Sequence, residues 1–258
     1  MLLHTSQTFV PYNYPLAEAD VVFLGVPFSA TSLSASSRYG PLQIREALRL
    51  TEGLPEKHWC DVGDVAIVPG SYELTAQRIK ETVAEIRATN EKAFLVVAGG
   101  EHLITLPLAE ALQPKTIVQV DAHSDTKRDV AGNAYTHQTW AYHASKLCKI
   151  FQVGVNAWSK EEMAFVSESS VVHAATATQF LNNDIMLEQP THLSVDVDCL
   201  RGTATGYPEG RLSMKTLRRV LGKVRCTSMD VVEICDDRLP SSTAFAACQV
   251  IKAVLEKM

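Results

Sequence analysis

Residues able to hold metal ions are concentrated in three short stretches of the 258-residue chain: His102 in "GGEH" (99–102), Asp121, His123 and Asp125 in "DAHSD" (121–125), and Asp196 and Asp198 in "SVDVD" (194–198). Side chains two apart in an extended segment share a face, so the D-x-H-x-D and D-x-D spacings predict that each set is presented together. Carboxylates gathered in one place repel one another and are costly to desolvate unless a cation compensates them. Four Asp and two His suit a pair of divalent ions. The set is rich in oxygen, includes imidazole and has no thiolate, which favours Mn²⁺ over a structural zinc site. Two adjacent metals can share a bridging water, lower its pKa and hold the resulting hydroxide against an electrophilic carbon, so the expected chemistry is hydrolytic. Taken alone, "DVD" suits a turn or helix cap, and "GGEH" a tight turn before a surface His. The succession of all three is what points to a metal centre.

The elements that must position these residues are short Val/Ile-rich runs at 20–26, 93–98, 116–122, 150–155, 192–198 and 227–234, as parallel strands covered on both faces should be. Helical patterns lie between them at 40–50, 72–90, 103–113, 213–224 and 242–258. The alternation predicts an α/β fold, a three-layer α/β/α sandwich with a mostly parallel sheet. With 258 residues, 46% hydrophobic, and no linker or repeat to divide it, the chain is expected to be a single domain over 1–258. Ligands of such sheets collect outside the carboxyl ends of the strands, where the metal-binding stretches fall. A net charge of −5 with scattered Lys and Arg argues against a nucleic-acid partner. The six cysteines form no C-x-x-C pair and read as buried reduced thiols. The first 20 residues show no charged segment leading into an apolar run, and no stretch approaches a membrane span, so a cytoplasmic protein without membrane contact is expected.

The three stretches resemble the metal-binding motifs of the ureohydrolases, the arginase/agmatinase/formimidoylglutamase family: G-G-[DE]-H, D-A-H-x-D and S-x-D-x-D. The similarity extends to "GVPF" (25–28), "SRYGPLQIREAL" (37–48), "DVVEI" (230–234) and "STAFAA" (242–247), in family order. The resemblance implies an arginase-like fold and two Mn²⁺ per chain. One ion would be held by His102, Asp121, Asp125 and Asp196, the other by His123, Asp121, Asp196 and Asp198, with Asp121 and Asp196 bridging. It further implies that a bridging hydroxide attacks the guanidinium carbon of a small-molecule substrate to give urea and an amine, with Asp125 orienting the hydroxide and accepting its proton. His137 in "YTHQTW" stands where arginases and agmatinases have a His followed by G-x-P or G-T, and would shuttle protons to the leaving amine. Glu233 stands where the family holds the guanidinium, and a carboxylate suits that planar donor fork. A homo-oligomer, trimer or hexamer, is implied too.

The mouth of the site departs from the family. After Asp198 the usual D-P and the Gly/Pro-rich loop are replaced by "CLRGTATGYPEGRLS", and "EICDDRL" replaces E-x-N-P. Lys127 and Arg128 follow Asp125, and these cations could bind a carboxylate on the substrate tail, with Asp129, Asp236 and Asp237 as offsets for a cationic tail. The preferred substrate class is therefore a guanidino compound: agmatine, arginine or a guanidino acid. The alternatives are a formimino substrate that releases formamide, a single-zinc deacetylase of the related superfamily, which the full ligand set argues against, and a metal-binding protein without turnover.

Overall fold

Val/Ile-rich runs pair into one nine-stranded sheet, formed by β1 (Thr5–Ser6), β2 (Val21–Val26), β3 (Trp59–Val65), β4 (Phe94–Gly99), β5 (Thr116–Val120), β6 (Lys149–Val153), β7 (Val172–Ala175), β8 (Thr191–Asp196) and β9 (Ser228–Val232). The computed structural model describes residues 5–6, 13–32, 34–203, 205, 210–236 and 238–258. The strand order is β1-β3-β2-β4-β9-β8-β5-β6-β7, with β1 antiparallel to β3 and every other pairing parallel. Helices α1 (Gly40–Leu50), α2 (Tyr72–Thr89), α3 (Thr105–Leu112), α4 (Trp140–Ala144), α5 (Lys160–Glu168), α6 (Ala177–Asn182), α7 (Met214–Leu221) and α8 (Ser242–Leu255) connect the strands.

Alternate strand residues serve two cores, which is why the strands read as unbroken apolar runs. Phe23, Val96, Val118 and Val195 pack with Ile44 of α1, Leu217 of α7 and Ile251 of α8. Leu24, Leu95, Val97 and Ile117 pack on the opposite face with Ile79 of α2, Leu108 of α3 and Trp140 of α4. The fold is thus the α/β sandwich that the alternation predicts.

Several elements carry no clear signal in the sequence. In β3, "WCDVGDV", Asp61 interrupts the apolar run, and it is buried only because Arg45 of α1 pairs with it. Strand β7 and helices α4 and α6 are too short to show a period. No helix among the described residues is long and apolar enough to cross a membrane. All six cysteines are free.

The connectivity assembles the site. The chain passes from β4 to β5 and only later inserts β8 and β9 between them. The carboxyl ends of β4, β9, β8 and β5 therefore lie side by side, and the residues that follow these strands meet.

Candidate active site

The metal-binding stretches converge through turns rather than through the pleat of extended strands. Strand β5 ends at Val120 and β8 at Asp196, before the second ligand of either motif. The carboxylate of Asp121 accepts a hydrogen bond from the backbone N–H of His123 (2.7 Å), and that of Asp196 from the N–H of Asp198 (2.8 Å). Each Asp folds the chain back on itself two residues on, a local turn that competes with the strand ladder. Asp125 completes its motif in the left-handed region, with φ 54°.

The third stretch is placed by glycine. A Cβ at Gly100 would lie 2.1 Å from the carbonyl oxygen of Phe28, so only glycine lets β4 close against the segment after β2. Backbone hydrogen bonds from Gly100 to Val26 (2.9 Å) and from Glu101 to Phe28 (2.8 Å) fix that approach and present His102 on a short 3₁₀ turn.

His102 Nδ1 lies 3.1 Å from Asp121 Oδ2, 3.2 Å from Asp125 Oδ2 and 3.5 Å from Asp196 Oδ2. It is fully buried yet aligned for a hydrogen bond with none of them. A lone nitrogen aimed between carboxylate oxygens fits a shared cation, since an orphaned buried polar atom is otherwise costly. His123 Nδ1 lies 2.8 Å from Asp198 Oδ2 and 3.6 Å from Asp121 Oδ1. Two candidate metal clusters result, His102–Asp121–Asp196 and Asp121–His123–Asp198, sharing Asp121. The residues present fit a metal centre.

Outer hydrogen bonds orient these groups, as metal ligands require. His102 Nε2 meets Ser194 Oγ (2.8 Å), which donates to Asp230 (2.7 Å). Asp230 is also met by Thr105 (2.9 Å) and by His192 (2.8 Å), a buried histidine outside the ligand spacing. Gln119 donates to Asp121 (2.8 Å), and the Trp140 indole donates to Asp125 (2.9 Å).

The electrostatics are those of a site short of positive charge. Burial, followed by the charge of Asp121, pushes Asp125 up to about 6. Burial and neighbouring aspartates raise Asp196 and Asp198 too. Burial opposes charge on Asp121 as well, but His102 and His123 outweigh it and hold the carboxyl below its usual range. Burial likewise opposes charge on the two histidines, and their carboxylate neighbours outweigh it. His102 rises well above its ordinary value and His123 is pushed up to about 12.

A cavity of about 320 Å³ opens over this cluster and is lined also by Lys127, His137, Gln138, Trp158, Glu162 and Glu233. Glu233, in the left-handed region at φ 62°, accepts from the His102 N–H (3.0 Å) and from Ser32 Oγ (3.3 Å). Burial is the main cause that pushes it up to about 8. His137 is pushed down to about 4 by burial and then by the positive charge of His102, His123 and Lys127.

The structure parts the two basic residues. Lys127 lines the cavity, but its ammonium donates to Gln138 Oε1. Arg128 is exposed, outside the cavity lining, with its guanidinium 5.9 Å from the Tyr142 ring centroid. Neither Asp129 nor Asp236 lines the cavity, and Asp237, like 204 and 206–209 of the rebuilt loop, lies outside the described residues. A further acid that lines the cavity is Glu162, whose Oε2 accepts from Ser159 N (2.7 Å) and Oγ (2.8 Å) in a capping box at the start of α5. The S-x-x-E signature of "SKEE" was the available signal for it.

The arginase family model matches residues 19–256. The chain belongs to the arginase family. Membership makes it a hydrolase of linear amidine C–N bonds, the class that the motifs imply. Among arginase-family relatives, an N(1)-aminopropylagmatine ureohydrolase of Thermococcus kodakarensis is 32% identical, over 96% of this chain and 95% of that one. An agmatinase of Pyrococcus horikoshii is 31% identical over 99% and 98%. The crystal structure of agmatine ureohydrolase of Thermoplasma volcanium shares the fold, with TM-score 0.80 and 23% identity over 95% of this chain and 92% of that one.

Proposed function

We propose that this protein is a binuclear manganese ureohydrolase whose substrate is a guanidino compound with a cationic tail, of the agmatine class, cleaved with water to urea and an amine. The observation that carries the reading is the layout of the cavity. Histidines and aspartates of the two clusters that share Asp121 line it together with Glu233 and the buried acid Glu162. The oxygen-rich donor set with imidazole suits Mn²⁺. The relatives named for agmatine and aminopropylagmatine hydrolysis support the tail.

His102, Asp121, Asp125 and Asp196 would hold one ion, and His123, Asp121, Asp196 and Asp198 the other. When bound, the pair supplies the Lewis acidity that makes water nucleophilic at neutral pH. Glu233 receives the guanidinium, whose charge offsets a carboxylate that burial otherwise disfavours. Asp125 orients the attacking water and accepts its proton. His137, held neutral by its surroundings, relays a proton to the leaving amine. Glu162, in the cavity lining, has one oxygen occupied by Ser159 and the other to offer a cation.

A product assay on Mn²⁺-loaded protein tests this, offering agmatine, aminopropylagmatine, arginine, guanidinobutyrate and formiminoglutamate. Urea is expected, with kcat/KM for agmatine or aminopropylagmatine at least about tenfold above that for guanidinobutyrate, the worth of one charge contact. Preference for guanidinobutyrate would overturn the cationic tail. Formamide from formiminoglutamate would replace the reaction, and no turnover with two metals bound would remove it.

A further inference from the structure

His137 is joined on both sides to a chain of hydrogen bonds that no metal-binding motif requires. On one side Lys127 Nζ meets Gln138 Oε1, and Gln138 Nε2 lies 3.1 Å from His137 Nε2. On the other, His137 Nδ1 lies 3.1 Å from Thr31 Oγ1, and Thr31 Oγ1 donates to Glu101 Oε1 (2.8 Å). Glu101 is itself anchored, since its Oε2 accepts from the backbone N–H groups of Ala30 (2.7 Å), Thr31 (2.7 Å) and Ser32 (2.9 Å).

Donor and acceptor inventory gives this chain one direction. An ammonium only donates, so the Gln138 atom facing Lys127 must be the carbonyl oxygen, which leaves the NH₂ facing His137. An NH₂ only donates, so His137 Nε2 must be unprotonated and the ring proton must sit on Nδ1. The Thr31 hydroxyl hydrogen is committed to the acceptor-only carboxylate of Glu101. Its lone pairs are then left for the Nδ1–H and for the backbone N–H of His137, which donates to the same oxygen (3.0 Å). Every step is satisfied in this one arrangement, which is how tautomers and amide orientations are assigned.

We propose that Gln138, its amide orientation set by Lys127, is a positioning residue that acts with Thr31, held by Glu101, to fix His137 in the Nδ1–H tautomer and make Nε2 the proton-accepting atom. Gln138 stands where the resembling motifs have glycine, so this is a device of this chain. Lys127 then acts through Gln138 and is not a reader of substrate carboxylates. The effect on turnover rests on His137 being the proton relay of the proposed reaction. The tautomer does not, and can be measured without turnover.

The test is a long-range ¹H–¹⁵N imidazole spectrum of the full chain with Mg²⁺ in place of a paramagnetic ion, the His137 signal being the one lost in His137→Asn. The wild type should show Nδ1 protonated and Nε2 bare. Lys127→Met, which frees the amide to rotate, and Gln138→Glu, which presents an acceptor to Nε2, should each shift part of the population from that signature against the remaining Thr31 contact, and Lys127→Arg should restore it. Gln138→Met serves as a second route should Lys127→Met fail to fold. In Mn²⁺-loaded enzyme kcat should fall about tenfold in Lys127→Met and Gln138→Met, with KM within about twofold, as expected when a general acid–base group worth 10²–10⁴ is misoriented but present.

An Nε2–H wild type would overturn the proposal. So would an unchanged ring signature in Lys127→Met with a raised KM for guanidino acids, which would make Lys127 a carboxylate reader. Failure of all guanidino substrates to turn over, with the Nδ1–H signature intact, would overturn the reaction but not the lock.

Discussion

Two buried groups of aspartates in this molecule are built on opposite terms. Within β3, Asp61 receives Arg45 in a two-point contact, 2.7 Å to Nε and 2.9 Å to Nη2, and the same guanidinium reaches Asp64 and lies 4.9 Å from the Phe23 ring. Here the chain supplies its own cation in a planar geometry that matches the carboxylate. At the carboxyl ends of the central strands, four aspartates and Glu233 are buried, and the two candidate metal clusters among the described residues include two histidines. No Arg or Lys touches that cluster in the described contacts; the nearby Lys127 is held by Gln138. The first group is complete as folded. The second is left short of positive charge, which is what a site for a divalent ion looks like before the ion is counted.

The contrast gives opposite expectations for the same substitution. Asp125→Asn should abolish metal binding at one position and lower turnover about 10³-fold, while the metal-free protein becomes more stable by about 1–3 kcal/mol, because a carboxyl raised to about 6 is relieved of its charge. Asp61→Asn should do the reverse, destabilising the fold by about 3 kcal/mol by leaving Arg45 underpaired, with metal content unchanged. Metal analysis and thermal melts of both variants with chelator check the pair. An Asp125→Asn protein that melts lower than the metal-free wild type would break the comparison.

Glu233 belongs to the deficient group but bears no cluster of its own, so it separates metal from substrate. Glu233→Ala should retain both metals and lose about 10²-fold in kcat/KM, the scale of one transition-state contact. Normal KM and activity on guanidino substrates would remove it as the guanidinium holder.

The pH dependence follows from the same asymmetry. Asp125 at about 6 and Glu233 at about 8 hold more protons folded than unfolded between their unfolded and folded pKa values, so stability falls as pH rises through those windows. His123, pushed up to about 12, has the same sign: its contribution is full below about pH 6.5 and is lost as pH climbs towards the folded value. Asp121, held low, has the opposite sign, but only below about pH 4. The metal-free protein should therefore lose stability steadily between about pH 4.5 and 8, protons having taken the place of the metals. Mn²⁺ competes for the same atoms and should flatten or reverse the slope. Melting curves with chelator and with Mn²⁺ measure it, and a rising midpoint without metal would contradict the reading.

These terms also explain what could be read in the sequence. The deficient group was legible because its residues crowd into short motifs, D-x-H-x-D and D-x-D, whose succession points to a metal centre. Their placement by turns was not, since it depends on which N–H each Asp accepts. Asp61 was illegible as a buried acid because its partner, Arg45, lies 16 residues away on a helix. Glu162 and Gln138 were missed for a related reason. Each looks ordinary in its own segment, a capping acid and a loop amide, and only the fold brings both to the lining of one cavity with the metal-binding stretches.

Within the self-compensated group, burial should grade the effects. Asp61 is 1% exposed and bonds Arg45 at two points, whereas Asp64 is 32% exposed and bonds it at one. Water already solvates Asp64 in part, so its Coulomb gain is screened and its loss leaves Arg45 still paired. Asp64→Asn should cost less than about 1 kcal/mol. The position carries a second constraint, because Asp64 Oδ1 sits where a Cβ at Gly25 would be, 1.8 Å away, and the smaller shift of an amide at that point must be absorbed by β2. If Asp64→Asn proves as costly as Asp61→Asn, then packing against Gly25, rather than charge, holds this corner together, and the two aspartate groups differ in shape more than in electrostatics.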